Sequence, residues 1–555
     1  MNVYTGIPAA EGIACALAVV VKEIIPETVT VSLDEAVEQC LKEIRHLREK
    51  TAADLGEESA EIFDAYEMLL QDQYLVDSIR NLHNEGAGLV DAVEQAMEQH
   101  AAMFARAKSQ YMQQRADDIR NIKKMLQRAL MGNSCRVKQP ENGEKFVLFA
   151  ETLSPADIME ADTSRLAGLV TKFGGNTSHA VILAKTLGIP AVTGFDALDQ
   201  VEREDTVVID GAKGTVTVAP DEQTMQQTQK LLEEQEKMKE MMRQLPKGEV
   251  SVLDGEVVHV SVNIGLASDL EGLDLESIYG VGLYRTEFLF SERVMAPTVE
   301  EQIKEYKNVF DSLAGKDLII RTLDIGGDKV IPYLDCPKEE NPFLGCRGIR
   351  LCFRNESLLR DQFTALLTAS EGRPFSVMFP MISNIAEFRK AKKIWGEIAA
   401  ELKEKGCSIS PDIRLGVMVE TPAAAFCADL LAKEVDFASI GTNDLTQYVL
   451  AADRGNPSVG VKLSYYDPAV LRAIYQTISA FRQADVKISV CGEAGSDVHF
   501  LPLMLAMGLR YVSVSRSLID RVRYTVLNTC AEEQKTVLQH VLTMATEEEV
   551  RAAVG

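Results

Sequence analysis

Apolar and polar residues alternate along this chain with two different periods, and the change from one to the other marks out its parts. Between residues 32 and 131 apolar positions recur at helical spacing, as in Ile62, Tyr66, Leu69 and Leu70. The stretch has no proline, and Gly56, Gly86 and Gly88 are its only glycines. That pattern predicts a bundle of about four helices.

After residue 136 the period shortens. KFVLFAETLSPADI, LAGLVTKFGG, IPAVTGF and DTVVIDGAKGTVTVAP set short β-rich runs against a helical stretch and Gly/Pro turns, which predicts a compact α/β domain. The opening MNVYTGIPAAEGIACALAVVV reads as a further strand of it, with the bundle inserted between. Residues 221–244, without glycine or proline and with charges alternating with Leu and Met, predict one long exposed helix. Beyond residue 250 come eight β-type runs separated by helical patterns: VHVSVNIG, GVGLYRTEF, DLIIRTLDIGG, FSVMFPMI, RLGVMVETP, DFASIGTNDL, KISVCGEAG and YVSVS. Their number, order and spacing fit a (β/α)8 barrel. The expected organisation is an α/β domain over 1–21 and 136–220, a helical insertion over 22–135, a linker over 221–250 and a barrel over 251–555.

Composition narrows the function. A length of 555 residues suits roughly three to four domains. A net charge of −25 disfavours nucleic acid, whose phosphates call for clustered Lys and Arg. The ten cysteines show no CxxC spacing and no secreted-framework density, so a reduced, cytoplasmic protein without zinc or disulfides is expected. The apolar start has no basic residues before it, which argues against a signal peptide, and no run suggests membrane insertion.

In a (β/α)8 barrel the chemistry sits where the strands end. Here those ends deliver Arg285, Arg321 with Asp324, Glu420, Asn443 with Asp444, and Cys491 with Glu493, while neighbouring loops carry Arg347 and Arg454. Any one of these alone reads as a surface salt bridge, and Cys491 alone as an inert buried thiol. Together they describe a site for a small, multiply charged anion held with Mg²⁺. Arginine forks grip carboxylate and phosphate two bonds at a time, and Mg²⁺ takes one or two carboxylates, for which Glu420 and Asp444 are candidates. Cys491 can serve as a general acid where its surroundings keep it protonated until transfer.

One histidine stands apart. GGNTSH followed by AVILAKTLG places His179 at a helix N-terminus behind two glycines. A capping or core histidine is one reading. The other is a nucleophile, because the helix dipole favours a neutral imidazole and welcomes a phosphoryl group.

At this point a resemblance enters. GGNTSHAVILAKTLGIPAV resembles the phosphohistidine segment of the phosphoenolpyruvate-utilising enzymes. GLYRTEFLF, IIRTLDIGGDK, NPFLGCRGIR, VMVETPAAA, SIGTNDLTQY and SVCGEAG look like the barrel motifs of the branch that passes phosphate to a carrier protein in bacterial sugar uptake. GIPAAEGIA and AEIFDAYEMLLQD extend the similarity to the N-terminal part. The resemblance implies a phosphotransferase with a nitrogenous acceptor. In it His179 takes the phosphoryl group of phosphoenolpyruvate, Arg285, Arg321, Arg347, Asn443 and Arg454 hold the substrate, Glu420 and Asp444 hold Mg²⁺, and Cys491 protonates the departing enolate to pyruvate. It also implies that the inserted bundle docks the small carrier HPr and that the barrel forms a homodimer. Departures from the family pattern are Asn176 where Arg is frequent, Cys346 where Trp is usual, and Tyr66 where His is common. Two alternatives are a dikinase or synthase of the same family, which would need an ATP-binding domain that the helical region before residue 136 does not resemble, and a non-catalytic regulatory relative.

Overall fold

The structure is a computed structural model. It describes residues 2–21, 29–55, 57–105, 110–132, 137, 139–140, 143–175, 178–291, 293, 295–327, 333–334, 339–454, 456, 459 and 463–554. The chain divides into two compact units, Met1–Met238 and Lys239–Gly555.

The first unit contains an eight-stranded mixed sheet: β1 (Asn2–Thr5), β2 (Ile7–Ala10), β3 (Ile13–Val21), β4 (Phe146–Ala150), β5 (Leu166–Thr171), β6 (Ala191–Thr193), β7 (Thr206–Asp210) and β8 (Thr215–Val218). The spatial order is β1-β8-β7-β3-β4-β5-β6-β2. Its centre is parallel, β3 to β6, and its flanks are antiparallel. The opening segment thus supplies three strands where one was expected, because the chain crosses from one edge of the sheet to the other and then into its middle. All five side chains of β4 are buried, as a central parallel strand covered on both faces requires.

Between β3 and β4 in the chain come five helices: α1 (Leu33–Leu55), α2 (Glu57–Gln71), α3 (Gln73–Asn84), α4 (Leu89–Ala105) and α5 (Gln110–Leu130). Periodicity suggested about four. The extra break falls at Asp72, whose side chain accepts the N–H of Tyr74 at 2.9 Å and caps α3 just where α2 ends. The bundle core, with Ile44, Phe63, Tyr66, Val93, Ile122 and Leu126, also takes in Ala156 and Met159 of α6 (Pro155–Glu160). Lys50 ties the two parts together by donating to the carbonyls of Met159 and Ala161 at 2.6 and 2.8 Å. Helix α7 (His179–Leu187) packs Ala180, Val181, Leu183 and Ala184 on the sheet. Helix α8 (Glu222–Arg243) follows β8 and carries the chain from the first unit into the second.

The second unit is a closed barrel. A two-residue strand β9 (Val250–Ser251) pairs with β10 (Val257–Ile264), and β10, β11 (Gly280–Arg285), β12 (Asp317–Arg321), β13 (Ser376–Phe379), β14 (Arg414–Val419), β15 (Phe437–Ile440), β16 (Lys487–Val490) and β17 (Tyr511–Val514) form the parallel ring, closed by β17–β10 and β10–β11 pairing. All eight β-type runs are barrel strands, which makes the fold the expected (β/α)8 barrel following an α/β unit. Leu283, Ile319, Met378, Met418, Phe437 and Cys491 fill the interior. Among the described residues no helix is long and apolar enough to cross a membrane, and eight cysteines are free thiols.

Candidate active site at the barrel mouth

Strands β11, β12, β14, β15 and β16 end on polar residues that line a cavity of about 190 Å³ at the C-terminal mouth of the barrel. Arg285, Arg321, Arg347, Glu420, Asn443, Asp444, Arg454 and Cys491 all contribute to its wall. The structure therefore brings together every site residue expected of the barrel. His179 belongs to the first unit, at the start of α7.

Two of the arginines are bound to carboxylates of the protein. Arg321 donates from Nη2 to Glu287 at 2.9 Å and pairs through Nη1 with Asp324 at 3.2 Å. Arg347 donates from Nη2 to both oxygens of Asp324, at 3.3 and 3.1 Å, and from Nη1 to Asp444 at 3.1 Å and the Tyr448 hydroxyl at 3.2 Å. Charges of alternating sign thus run Glu287, Arg321, Asp324, Arg347, Asp444. Burial penalises both guanidinium ions, but the carboxylates beside them more than offset it and hold their pKa values above the ordinary arginine value. Such a chain fixes the forks in position before any ligand arrives.

The other two arginines are uncommitted or nearly so. Arg285 is exposed, and its side chain makes no hydrogen bond or ion pair among the described residues. Arg454 reaches Asp444 only at 4.0 Å. Asn443 is held at both ends of its amide: Nδ2 donates to Glu493 at 3.1 Å, and Oδ1 accepts the backbone N–H of Glu493 at 3.0 Å.

Glu420 is 1% exposed. Its Oε1 accepts the Met381 N–H at 2.6 Å, while Oε2 is buried with no hydrogen-bond partner among the described residues. Burial, with Asp324 and Asp444 nearby, raises its pKa far above the usual carboxylate range. Asp444 is also buried, and the cation it contacts directly is Arg347. An unpartnered carboxylate oxygen beside further acidic groups is what a hard divalent cation would complete. Among the described residues no three acidic, His or Cys side chains are arranged to hold a metal ion by themselves, so a cation here would rest on Glu420, Asp444, water and ligand oxygens. Met381 adopts φ = 57°, a strained conformation for a non-glycine residue that aims its N–H at Glu420. The loops close in tightly: a Cβ on Gly441 would stand 2.9 Å from Glu420 Oε2, and one on Gly492 2.0 Å from Thr442 Oγ1.

Cys491 is buried at the end of β16, and its Sγ donates to the Ile440 carbonyl at 3.6 Å. Burial raises its pKa above that of an ordinary thiol, against smaller opposing effects of Ser439, Arg321 and Arg285. It is therefore a protonated thiol at neutral pH.

In the first unit, His179 is the first residue of α7, after Ser178, whose side chain makes no capping bond. Gly174 has φ = 129°, open only to glycine, so the bend leading to this helix depends on it. Burial lowers the imidazole pKa, which favours the neutral ring a nucleophile needs. Nδ1 lies 3.8 Å from Oδ1 of Asp118 on α5. Asn176 falls outside the described residues. Cys346 is half-buried and donates its backbone N–H to both oxygens of Glu339 at 3.0 Å. Tyr66 is completely buried, its hydroxyl accepting from Asn121 at 3.0 Å.

Sequence reasoning missed Glu287, Tyr448 and Asp118. Glu287 lies two residues past Arg285 in the same strand-end motif, so reading on by two positions would have found it. Tyr448 and Asp118 are on helices, where nothing in the local pattern separates them from ordinary neighbours.

The chain matches three sequence families: PEP-utilising enzyme, N-terminal, over residues 5–115; PEP-utilising enzyme, mobile domain, over residues 142–214; and PEP-utilising enzyme, PEP-binding domain, over residues 239–530. It is 38% identical over 98% of its length to the phosphoenolpyruvate-protein phosphotransferase of Staphylococcus carnosus (strain TM300), covering 97% of that protein. It is 40% identical over 93% of its length to the protein of the same name from Listeria monocytogenes serovar 1/2a (strain ATCC BAA-679 / EGD-e), covering 91% of it. A solution structure of an Enzyme I protein is 31% identical, covers 42% of this chain and 99% of its own, and superposes with a TM-score of 0.36. The matched PEP-binding domain by itself takes in more than half of the chain and contains the whole polar mouth of the barrel, so this chain belongs to the PEP-utilising enzymes.

Proposed function

We propose that this enzyme transfers the phosphoryl group of phosphoenolpyruvate to His179 and then to a histidine of the carrier protein HPr, releasing pyruvate, as the first step of sugar uptake. The observation that carries this reading is the set of preorganised and uncommitted cations, with an incompletely satisfied carboxylate and a protonated thiol, around one cavity. The names of the relatives support the same reaction.

Phosphoenolpyruvate carries a phosphate ester and a carboxylate on the same carbon. Arg285 and Arg454, free to turn, meet its oxygens, while Arg321 and Arg347 present forks already held by Glu287, Asp324 and Asp444. Asn443 borders the same space with its amide fixed by Glu493. Glu420 and Asp444 would hold Mg²⁺, which when bound draws negative charge off the phosphate oxygens. Positioning and electrostatics account for most of the barrier lowering in such transfers.

The lone pair of a neutral His179 nitrogen forms the new bond to phosphorus as the bond to the enol oxygen breaks. The enolate is left with its charge among the arginines. Cys491 gives its proton to the methylene carbon, producing pyruvate, and the thiolate recovers a proton from water. The domain over 1–21 and 136–220 turns on the 221–250 linker so that His179 visits the barrel for charging and the helical domain over 22–135 for discharge to HPr. A dimer formed through 251–555 is part of the same reading.

Replacing His179 with Ala decides the matter: radiolabelled phosphoenolpyruvate with Mg²⁺ labels the wild-type chain with acid-labile phosphate and leaves the variant unlabelled. Labelling of the variant at the wild-type level overturns the assignment.

A further inference from the structure

Asp118 is a carboxylate in an unusual position. It lies on α5 with 3% of its surface exposed, next to Asp117, which faces solvent. Among the described residues its buried Oδ1 has no hydrogen-bond partner, and Oδ2 receives a long contact of 3.5 Å from Arg115 Nη1. Burial raises its pKa to about 6, so it is charged at neutral pH although poorly compensated. Buried charges normally acquire partners. The polar atom facing the orphaned oxygen is Nδ1 of His179, at 3.8 Å.

Among the described residues the surroundings offer no better candidate. From α2, Tyr66 sits close enough for the Asp118 charge to raise its hydroxyl pKa, but its hydroxyl bonds with Asn121. On α5 itself, Arg115 interacts with the other oxygen and Asp117 pairs with Arg120 at 3.1 Å, and both also act on the imidazole at longer range, Asp117 raising its pKa and Arg115 lowering it. Among the described residues, the polar group that α7 brings near Oδ1 of Asp118 is His179. The separation is an ion-pair distance, and a side-chain adjustment of about 1 Å makes it a hydrogen bond.

We infer that Asp118 is a positioning residue for His179: its Oδ1 accepts the Nδ1–H hydrogen, selecting the tautomer in which Nε2 holds the lone pair and carries the phosphoryl group. This rests on the reading of His179 as the phosphoryl carrier. The consequence is that no proton has to leave or join His179 during discharge. The bond between phosphorus and Nε2 breaks, its electron pair stays on Nε2, the acceptor nitrogen uses its own pair to form the new bond to phosphorus, and the proton stays on Nδ1, hydrogen-bonded to Asp118, throughout. A carboxylate partner on one imidazole nitrogen settles the tautomer and orientation of the other, as it does for metal-bound histidines. It also keeps the ring from rotating while the acceptor approaches. The contact joins a bundle helix to the phosphohistidine helix, so the residue that orders the ring comes from the domain proposed to receive the carrier.

The test uses the full-length chain with ¹⁵N-labelled histidine, without phosphoenolpyruvate, so that it does not depend on turnover. In the wild type at pH 7.5 the His179 resonances show a protonated Nδ1 and an unprotonated Nε2. In Asp118→Asn the two tautomers become mixed and the His179 pKa falls by about one unit, because the anionic acceptor is gone. Asp118→Glu, which restores the charge, recovers most of both. An unchanged tautomer ratio and pKa in Asp118→Asn, with the wild-type amide spectrum elsewhere, overturns the proposal. If phosphoenolpyruvate fails to label His179 while the tautomer does respond to Asp118, it is the functional reading that falls and the positioning contact that stands.

Discussion

The two ends of the barrel are both rich in charge, yet they treat charge in opposite ways. At the floor, where strands begin, Asp317 of β12 receives Arg414 of β14 and Lys487 of β16, each at 2.8 Å. The Lys487 ammonium also lies 4.3 Å from the Tyr511 ring centre, and His259 stacks on that ring at 4.6 Å. Arg523 spends its donors on the carbonyls of Gly248 and Ser277, and Lys316 on that of Ile278. The floor cavity is the larger, about 480 Å³ against about 190 Å³ at the mouth. Size is a poor guide here. Cations at the floor are committed to the protein, whereas among the described residues the mouth keeps the Arg285 side chain unpaired and Glu420 Oε2 unsatisfied. A barrel end that neutralises itself holds the fold together, and one that leaves charges over can hold a ligand.

The sharpest way to break this contrast is at Arg347. Arg347→Ala should lower kcat/KM by about 10³-fold and destabilise the barrel by about 3 kcal/mol, because buried Asp444 loses its close cation and Asp324 keeps Arg321 but loses the second fork. Arg347→Lys should restore part of the stability and little of the rate, since an ammonium cannot bridge two carboxylates as a fork does. Steady-state kinetics and urea melts separate the two effects, and a variant that keeps wild-type kcat/KM would remove Arg347 from the site. Next comes Cys491→Ala, for which pyruvate release should slow by about 10²-fold or more with little change in KM, because the thiol acts on the enolate after binding. A raised KM with unchanged kcat would instead make it a binding residue.

The smallest effect on activity belongs to the floor. Asp317→Asn should cost about 2 kcal/mol of stability, because two cations lose a shared acceptor. Below the melting transition it should leave kcat/KM unchanged, which thermal unfolding and kinetics on one preparation would show. A tenfold loss of kcat/KM at 25 °C would mean that the floor takes part in the chemistry, and the division between the two ends would be lost.

Much of the barrel was legible in advance for a definite reason. Each strand is a local run of apolar and β-branched residues, and the rule that polar residues at strand ends face the mouth is a property of the fold. Arg285, Arg321, Glu420, Asn443, Asp444 and Cys491 could therefore be placed together without knowing a single distance. The helical insertion was legible only in outline. Its period predicted helices, but the break at Asp72 depends on one side chain capping Tyr74, and a capping acid looks like any other acid in a polar stretch. Glu287 and Tyr448 escaped because their importance lies in partners far away in the chain: Glu287 with Arg321, Tyr448 with Arg347.

Asp117 and Asp118 show where the boundary falls. By itself the sequence determines the periods, hence the helices, the strands and the barrel, because period is a property of neighbouring residues. It also determines which chemical groups are present, including an imidazole at the start of a helix. It does not separate two adjacent aspartates on one amphipathic helix. The side chain of one is 69% exposed and pairs with Arg120, while that of the other is 5% exposed and faces His179. Only tertiary structure decides that difference, because burial and the approach of a partner from another helix set the energy of a charge, and neither is contained in the order of residues along the helix.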